Sequence, residues 1–143
     1  MPECIFCAIG ARQAPAEIVY EDEETMAFLD ISPVAEGHCL VVPKAHARNV
    51  FDISPPLAGA TMRTAVRVAR AVQRAVKADG MNLWQSSEAV AGQTVFHFHI
   101  HIVPRWYGDG GIHFGGRQRA DRSALHAVAE RIRAELNSQS PQG

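Results

Sequence analysis

Nowhere in the 143 residues does an apolar run reach the roughly 18 that a membrane-crossing helix needs. The chain opens Met-Pro-Glu-Cys, with neither the basic nor the apolar stretch of an export signal. The expectation is a cytoplasmic protein with no membrane segment. Cysteine is scarce. Of the three, Cys4 and Cys7 form a Cys-x-x-Cys and Cys39 stands alone. In a chain without an export signal these read as thiols or metal ligands rather than a structural disulfide. An excess of one charge is missing too. Fourteen Lys and Arg against 15 Asp and Glu leave a net charge of −1 with neutral histidines. That balance makes no polyanion-binding surface, so no nucleic-acid partner is expected, while a small nucleotide ligand stays open. No internal repeat is present. The length, with 47% apolar and 20% charged residues, suits one globular domain over 1–143.

What the chain does have is Thr94-Val95-Phe96-His97-Phe98-His99-Ile100-His101-Ile102-Val103. Histidine alternates with Phe or Ile. Successive side chains on a strand point to opposite faces. Such a strand carries Phe96, Phe98, Ile100 and Ile102 on one face, for packing on a helix, and His97, His99 and His101 on the other. A lone histidine on a strand is an ordinary satisfied residue; three in register call for chemistry.

The remaining pattern is mixed. Ile18 to Tyr20 and Thr25 to Leu29 read as strands of a hairpin around the acidic turn Glu21 to Glu24. Asp30-Ile31-Ser32-Pro33 ends the second strand and puts Asp30 beside a loop. Gly37 releases a third strand, His38 to Val42, stopped by Pro43. Ser54-Pro55-Pro56 is a helix start. From Leu57 to about Ala78 a stripe of Leu57, Thr61, Ala65, Val68, Val72 and Val76 recurs at helical spacing. Arg63, Arg67, Arg70, Arg74 and Lys77 form the opposite stripe, a solvated face or a docking surface for an acidic partner. Met81 to Gln85 is a fourth strand, Ser86 to Gly92 a loop of small residues, and Thr94 to Val103 the fifth strand, stopped by Pro104. Residues 105–120 read as a loop, and Asp121 to Leu136 as a second amphipathic helix with Leu125, Val128, Ala129, Ile132 and Leu136 on one side. The polar residues that follow read as a frayed end. The sum is an α+β fold: a five-stranded antiparallel sheet with a long helix and a C-terminal helix.

An imidazole can attack phosphorus and carry a covalent nucleotidyl group, provided one nitrogen is free and the other is fixed by an acceptor. His99, central in the row, is the candidate. His101 is near enough to protonate a leaving amine or orient a leaving phosphate. The Ser86 to Gly92 loop can bring N–H groups to phosphate oxygens, with Gln93 and Thr94 as side-chain donors at its exit. The alternative is that His-x-His merely chelates a cation. Cys4 and Cys7 are a zinc half-site, with His46 and His97 as candidates for the remaining ligands. A thioredoxin-like redox motif is the rival, but that should open a helix after a strand. His113 and His126 read as surface histidines.

Gly37-His38-x-Leu40-Val41-Val42-Pro43-Lys44-x-His46, followed by Gly92-Gln93-x-Val95-x-His97-x-His99-x-His101, resembles the histidine triad (HIT) family. Asp30-Ile31-Ser32-Pro33 and Cys4-Ile5-Phe6-Cys7 are similar to its bacterial, zinc-containing members. The resemblance spans roughly residues 3–107 and leaves 108–137 as a C-terminal loop and helix. It implies a nucleotidyl hydrolase or transferase. His99 would be the nucleophile, His101 and Gln93 would handle phosphate and leaving group, and His38 would be a fourth histidine hydrogen-bonded to the row. Asp30 would bind the ribose hydroxyls, Thr94 the phosphate, and Cys4, Cys7, His46 and His97 a structural Zn²⁺. It also implies a homodimer joined across the helix-bearing side.

The expected substrates are purine nucleoside 5′-phosphoramidates or similar conjugates; dinucleoside polyphosphates are the near alternative. Related bacterial sequences carry Asn-Asn-Gly where this chain has Ser86-Ser87-Glu88. Serine is shorter than asparagine, so Ser86 is the substituted phosphate contact, and Glu88 is tolerable only if its charge points outward. A weakly active, nucleotide-binding zinc protein is the second reading.

Overall fold

The helix expected after Ser54 is the longest element of the computed structural model, which describes residues 4–114 and 117–139. In chain order the elements are α1 (Ile5–Gly10), β1 (Ile18–Glu21), β2 (Thr25–Leu29), β3 (Cys39–Pro43), α2 (Pro55–Val76), β4 (Gly80–Trp84), β5 (Ile100–Arg105) and α3 (Arg122–Ser138), with a short 3₁₀ turn at Ala89–Ala91. Residue 3, at the edge of the family-like span, and the polar end from residue 140 lie outside the described residues. The strands form one antiparallel sheet in the order β1-β2-β3-β5-β4.

Local chemistry accounts for both long helices. Ser54 Oγ accepts from Leu57 N–H, prolines fill the first turn of α2, and Lys77 closes it in the left-handed conformation. Asp121 caps α3 through Ala124 N–H. The buried stripe of α2 is Ala60, Thr61, Thr64, Ala65, Val68, Ala71, Val72 and Val76, and α3 adds Val128, Ala129 and Ile132. Of these, Ala65, Val68, Ala71, Val72, Val76, Val128, Ala129 and Ile132 form one core with Ala27, Leu29, Val41, Ile100 and Ile102 on one face of the sheet. Burying a valine or leucine side chain there stabilises by about 1.5–3 kcal/mol. Thr25 and Thr64 share a hydroxyl bond of 2.6 Å inside that core. The other face is smaller: Phe6 and Ile9 of α1 cover Met26, Phe28, Leu40 and Val42. Among the described residues no helix is long and apolar enough to cross a membrane.

The fifth strand corrects the sequence-based expectation. It runs from Ile100 to Arg105, so Thr94 to His99 lie outside it and Pro104 lies inside. The backbone of the earlier residues is committed elsewhere: Phe98 N–H donates to Ala47 O at 2.8 Å. β3 pairs with β5 only at Ile100, His101 and Ile102, so at Pro104 the strand faces just β4, through Met81. There the missing N–H breaks no bond to β3. α1 was also absent from the expected elements. It is only six residues long, and Cys4 Sγ caps it by accepting from Cys7 N–H.

Gly37 releases β3 at φ +95°, where a Cβ would lie 3.2 Å from Val72 and 3.3 Å from Val76. Gly37→Ala therefore meets both backbone strain and a crowded core. It is expected to destabilise by roughly 1–3 kcal/mol, read as a lower urea midpoint at unchanged slope.

Candidate active site and metal centre

Ile100 and Ile102 turn into the α2 core, so His101 between them faces the opposite side of the sheet. His38 and Trp84 meet it there. Trp84 pairs with His101 across β4 and β5 and stacks on it, ring centroids 4.8 Å apart and planes 18° apart. His99, one step outside the strand, stands 4.9 Å from His101, centroid to centroid. His97 points elsewhere. The row of three is divided between two clusters, and Phe6 lies edge-on to both His97 and His99.

The first cluster joins Cys4, Cys7, His46 and His97, whose ligand atoms lie within 4.8 Å of one another. His97 Nδ1 is 3.3 Å from Cys4 Sγ, 3.5 Å from Cys7 Sγ and 3.2 Å from His46 Nδ1; Cys7 Sγ is 3.6 Å from His46 Nδ1. Ligands of a tetrahedral zinc at its usual bond lengths are about 3.3–3.8 Å apart, so these spacings fit one. His97 Nε2–H donates to Pro43 O at 2.7 Å, which leaves Nδ1 as the lone-pair nitrogen toward the thiols. Burial and the neighbouring Cys4 push the Cys7 thiol up, a cost that a dication between them would reverse. The four atoms thus form a possible Cys/His metal site. Two thiols with two imidazoles also disfavour the thioredoxin-like alternative.

The second cluster is Asp30, His38, His99 and His101. Val34 N–H donates to His38 Nδ1 at 3.2 Å, so the proton of neutral His38 is on Nε2. His38 Nε2–H then donates to His101 Nδ1 at 2.9 Å, which puts the proton of neutral His101 on its own Nε2. His99 Nδ1–H donates to His97 O at 2.7 Å, leaving His99 Nε2 with a lone pair. Two neighbouring imidazoles therefore carry opposite capacities: a nucleophile at His99 Nε2 and an acid at His101 Nε2. Asp30 Oδ1 accepts from Ser32 N–H at 2.8 Å, and Oδ2 lies 3.6 Å from His38 Nε2. Asp30, His38 and His101 come within metal-binding reach of one another. The donated proton between the two rings makes them a hydrogen-bond relay, since a metal there would displace it and set His38 Nδ1 against Val34 N–H.

The histidines are held neutral. Burial lowers His38 to about 4, with Asp30 opposing, and lowers His101 to about 3, with His99, His38 and Arg117 adding to the effect. Burial also lowers His99 and takes His97 to about 4.

The loop before the triad is built differently from its sequence-based reading. Gln93 is buried, and its amide is fully engaged: Oε1 accepts from Glu88 N–H and Asn49 Nδ2, while Nε2 donates to Arg48 O and Val95 O. This ties Gln93 to loop shape rather than leaving it a free donor. Glu88, at φ 77°, turns away into Arg48, which it meets in two bonds of 2.8 and 2.9 Å, and into Asn49 Nδ2 at 2.6 Å. The Arg48 and Asn49 bonds hold its carboxyl down at about 2. Its charge is thus spent on a clasp. Arg48 also covers Phe96 at 4.3 Å. Ser86 is half-buried opposite Gly92, and Thr94 is exposed. No hydrogen bond among the described residues joins Ser86, Gln93 or Thr94 to the imidazoles.

Phe6, Trp84, Arg48 and Asn49 were missed as site residues. Phe6 sits inside the Cys-x-x-Cys and was legible as its apolar filler. Trp84 becomes legible only with the β4–β5 register. His113 and His126 are exposed, bonded to Gly110 O and to Glu17, and belong to neither cluster. A concavity of about 300 Å³ adjoins Asp30 and His38, walled by Val34, Gly37, Leu125 and Val128. A larger one of about 590 Å³ lies between Arg12 and Ile18 with Arg133, but both arginines are paired with glutamates.

Comparison with known proteins agrees with this geometry. The HIT domain family model matches residues 11–107. Protein hit of Bacillus subtilis is 46% identical over 107 residues, covering 75% of this chain and 73% of that one. A zinc-bound histidine triad family protein from Mycobacterium smegmatis superposes with a TM-score of 0.85 and 39% identity, over 94% of each chain. Adenylylsulfatase HINT3 of Arabidopsis thaliana is 35% identical over 103 residues, 72% of this chain, which spans 52% of its length. The chain belongs to the histidine triad family, whose members are nucleotide-binding, hydrolase-type proteins.

Neutral histidines have a consequence for stability. The unfolded chain takes up these protons below about pH 6.5, whereas folded His38 and His101 resist to about 4 and about 3. The unfolded state binds more protons in that window, so stability is full above it and falls as pH drops through it. The melting temperature is expected to decline from pH 6.5 toward 4, less steeply in His101→Gln. An unchanged slope in that variant would contradict the assignment.

Proposed function

We propose that this protein transfers a nucleotidyl group to its own His99 and then to water, acting on a purine nucleoside 5′-monophosphate joined to a leaving group. One observation carries the reading: the bond from His99 Nδ1–H to His97 O, which frees Nε2 beside the His38–His101 relay. His99 Nε2 attacks phosphorus, the N–P bond forms, and the bond to the leaving group breaks in line. When that group is an amine, His101 Nε2–H supplies its proton, the His38 Nε2–H bond to His101 Nδ1 stabilises the imidazolate left behind, and the water of the second step returns a proton to His101 Nε2. Water then cleaves the N–P bond and releases the mononucleotide. Asp30, at a strand end with Oδ2 outward from its turn, suits two ribose hydroxyls. Ser86 and Thr94 are the candidate phosphate donors, and Gln93 holds their loop. His99→Ala is expected to abolish turnover and any trappable nucleotidyl-protein; full activity in that variant would refute the mechanism.

The Cys4, Cys7, His46 and His97 donor set supports a bound Zn²⁺, which would supply structural cross-linking through a closed tetrahedral site. His97 would then serve structure, and its carbonyl would hold the nucleophile. Protein purified without added metal is expected to hold about one equivalent of zinc. Cys4→Ser is expected to lose it and melt several degrees lower. A content far below one equivalent would reject a tight site. The reading includes a homodimer joined across the helix-bearing side, supported by exposed Val50, Phe51, Met62 and Val66 before and along α2.

A further inference from the structure

The segment after β5, which reads as a plain loop in the sequence, returns to the histidine site. Phe114 meets Trp84 edge-on at 5.8 Å, and Trp84 is the residue stacked on His101. Ala120 N–H donates to Ile31 O at 2.8 Å, one residue past Asp30. Arg117 lies three residues from each of these anchors, one on the His101 side of the site and the other on the Asp30 side. Its positive charge bears on both His38 and His101 and opposes their protonation. The site has need of a cation. Its imidazoles are neutral, Asp30 is a carboxylate, and Arg48 is committed to Glu88 by two bonds. A nucleotide brings further negative charge.

We propose that Arg117 is a substrate-binding residue of this site that receives the negative charge of a leaving group which is itself a phosphate or a sulfate. This rests on the nucleotidyl-transfer reading above. The chemistry divides by leaving group. An amine departs only with a proton, and His101 Nε2–H provides it. A phosphate or sulfate departs with the electron pair of the broken P–O bond and needs no proton at neutral pH. It needs a countercharge that acts more strongly as the bond breaks. Arg117 thereby widens the substrate range from phosphoramidates to mixed anhydrides.

The test compares wild type, Arg117→Gln, Arg117→Lys and Arg119→Gln, the last removing the same charge from the same segment. On diadenosine tetraphosphate and adenosine 5′-phosphosulfate, Arg117→Gln is expected to lose roughly 10- to 100-fold in kcat/KM, mainly in kcat, and Arg117→Lys to recover part. On adenosine 5′-phosphoramidate the loss is expected to stay within about threefold, and Arg119→Gln to match wild type throughout. Equal losses on all substrates, no loss, or the same loss in Arg119→Gln would overturn the proposal. Calorimetric binding of ADP against AMP needs no turnover. There Arg117→Gln is expected to weaken ADP by about fivefold or more and to spare AMP. If wild type binds nucleotides but cleaves no substrate, the transfer reading fails and the ADP comparison alone judges Arg117. Unchanged ADP affinity in Arg117→Gln overturns the proposal, and so does a wild type that binds neither nucleotide.

Discussion

The backbone carbonyl of His97 fixes the chemistry of its neighbour. His99 donates its Nδ1 proton to that oxygen at 2.7 Å, and this one bond decides which nitrogen of His99 is free. The carbonyl is available because residues 94–99 have left the sheet, since a ladder would have claimed it. They are held off the sheet from several directions: Phe98 N–H on Ala47 O, His97 Nε2–H on Pro43 O, and His97 Nδ1 among two thiols and a second imidazole. The metal-like cluster and His99 are therefore joined by one residue. Whatever orders His97 orders His99.

Electrostatics follow from the same packing. The proposed attack on phosphorus requires imidazoles that are unprotonated, one of them presenting an N–H. Burial supplies the first condition and the Val34–His38–His101 chain the second, since each bond fixes the tautomer of the next ring. Glu88 illustrates how the surrounding loop tolerates an unusual residue. It takes a backbone conformation that favours glycine, yet its carboxylate is gathered by Arg48 and Asn49, so its charge is paired.

Much of this was legible in the sequence, for identifiable reasons. His38, Asp30, the triad and the Cys-x-x-Cys carry motif spacing, and the helices carry caps and period. The grouping of Cys4 and Cys7 with His46 and His97, a possible metal site, follows from a knuckle packed beside the triad. What escaped depended on long-range register or on competition. Alternation from Thr94 to Val103 is a strand signal, but two imidazoles with other partners, His97 and His99, outweighed it over the first half. Pro104 is a strand stop only if both neighbours are present, and one is missing. α1 was too short to show a period. Trp84 and Arg48 reach their places by pairings that local patterns do not encode.

The stereochemical course at phosphorus tests the central idea most directly. A substrate made chiral at its reacting phosphorus by oxygen isotopes and sulfur would be hydrolysed by the wild-type protein and the configuration of the released nucleotide determined. Transfer to His99 and then to water involves two in-line displacements, each inverting, so overall retention is expected. Overall inversion would mean that water attacks the substrate directly, and the covalent role assigned to His99 would be wrong.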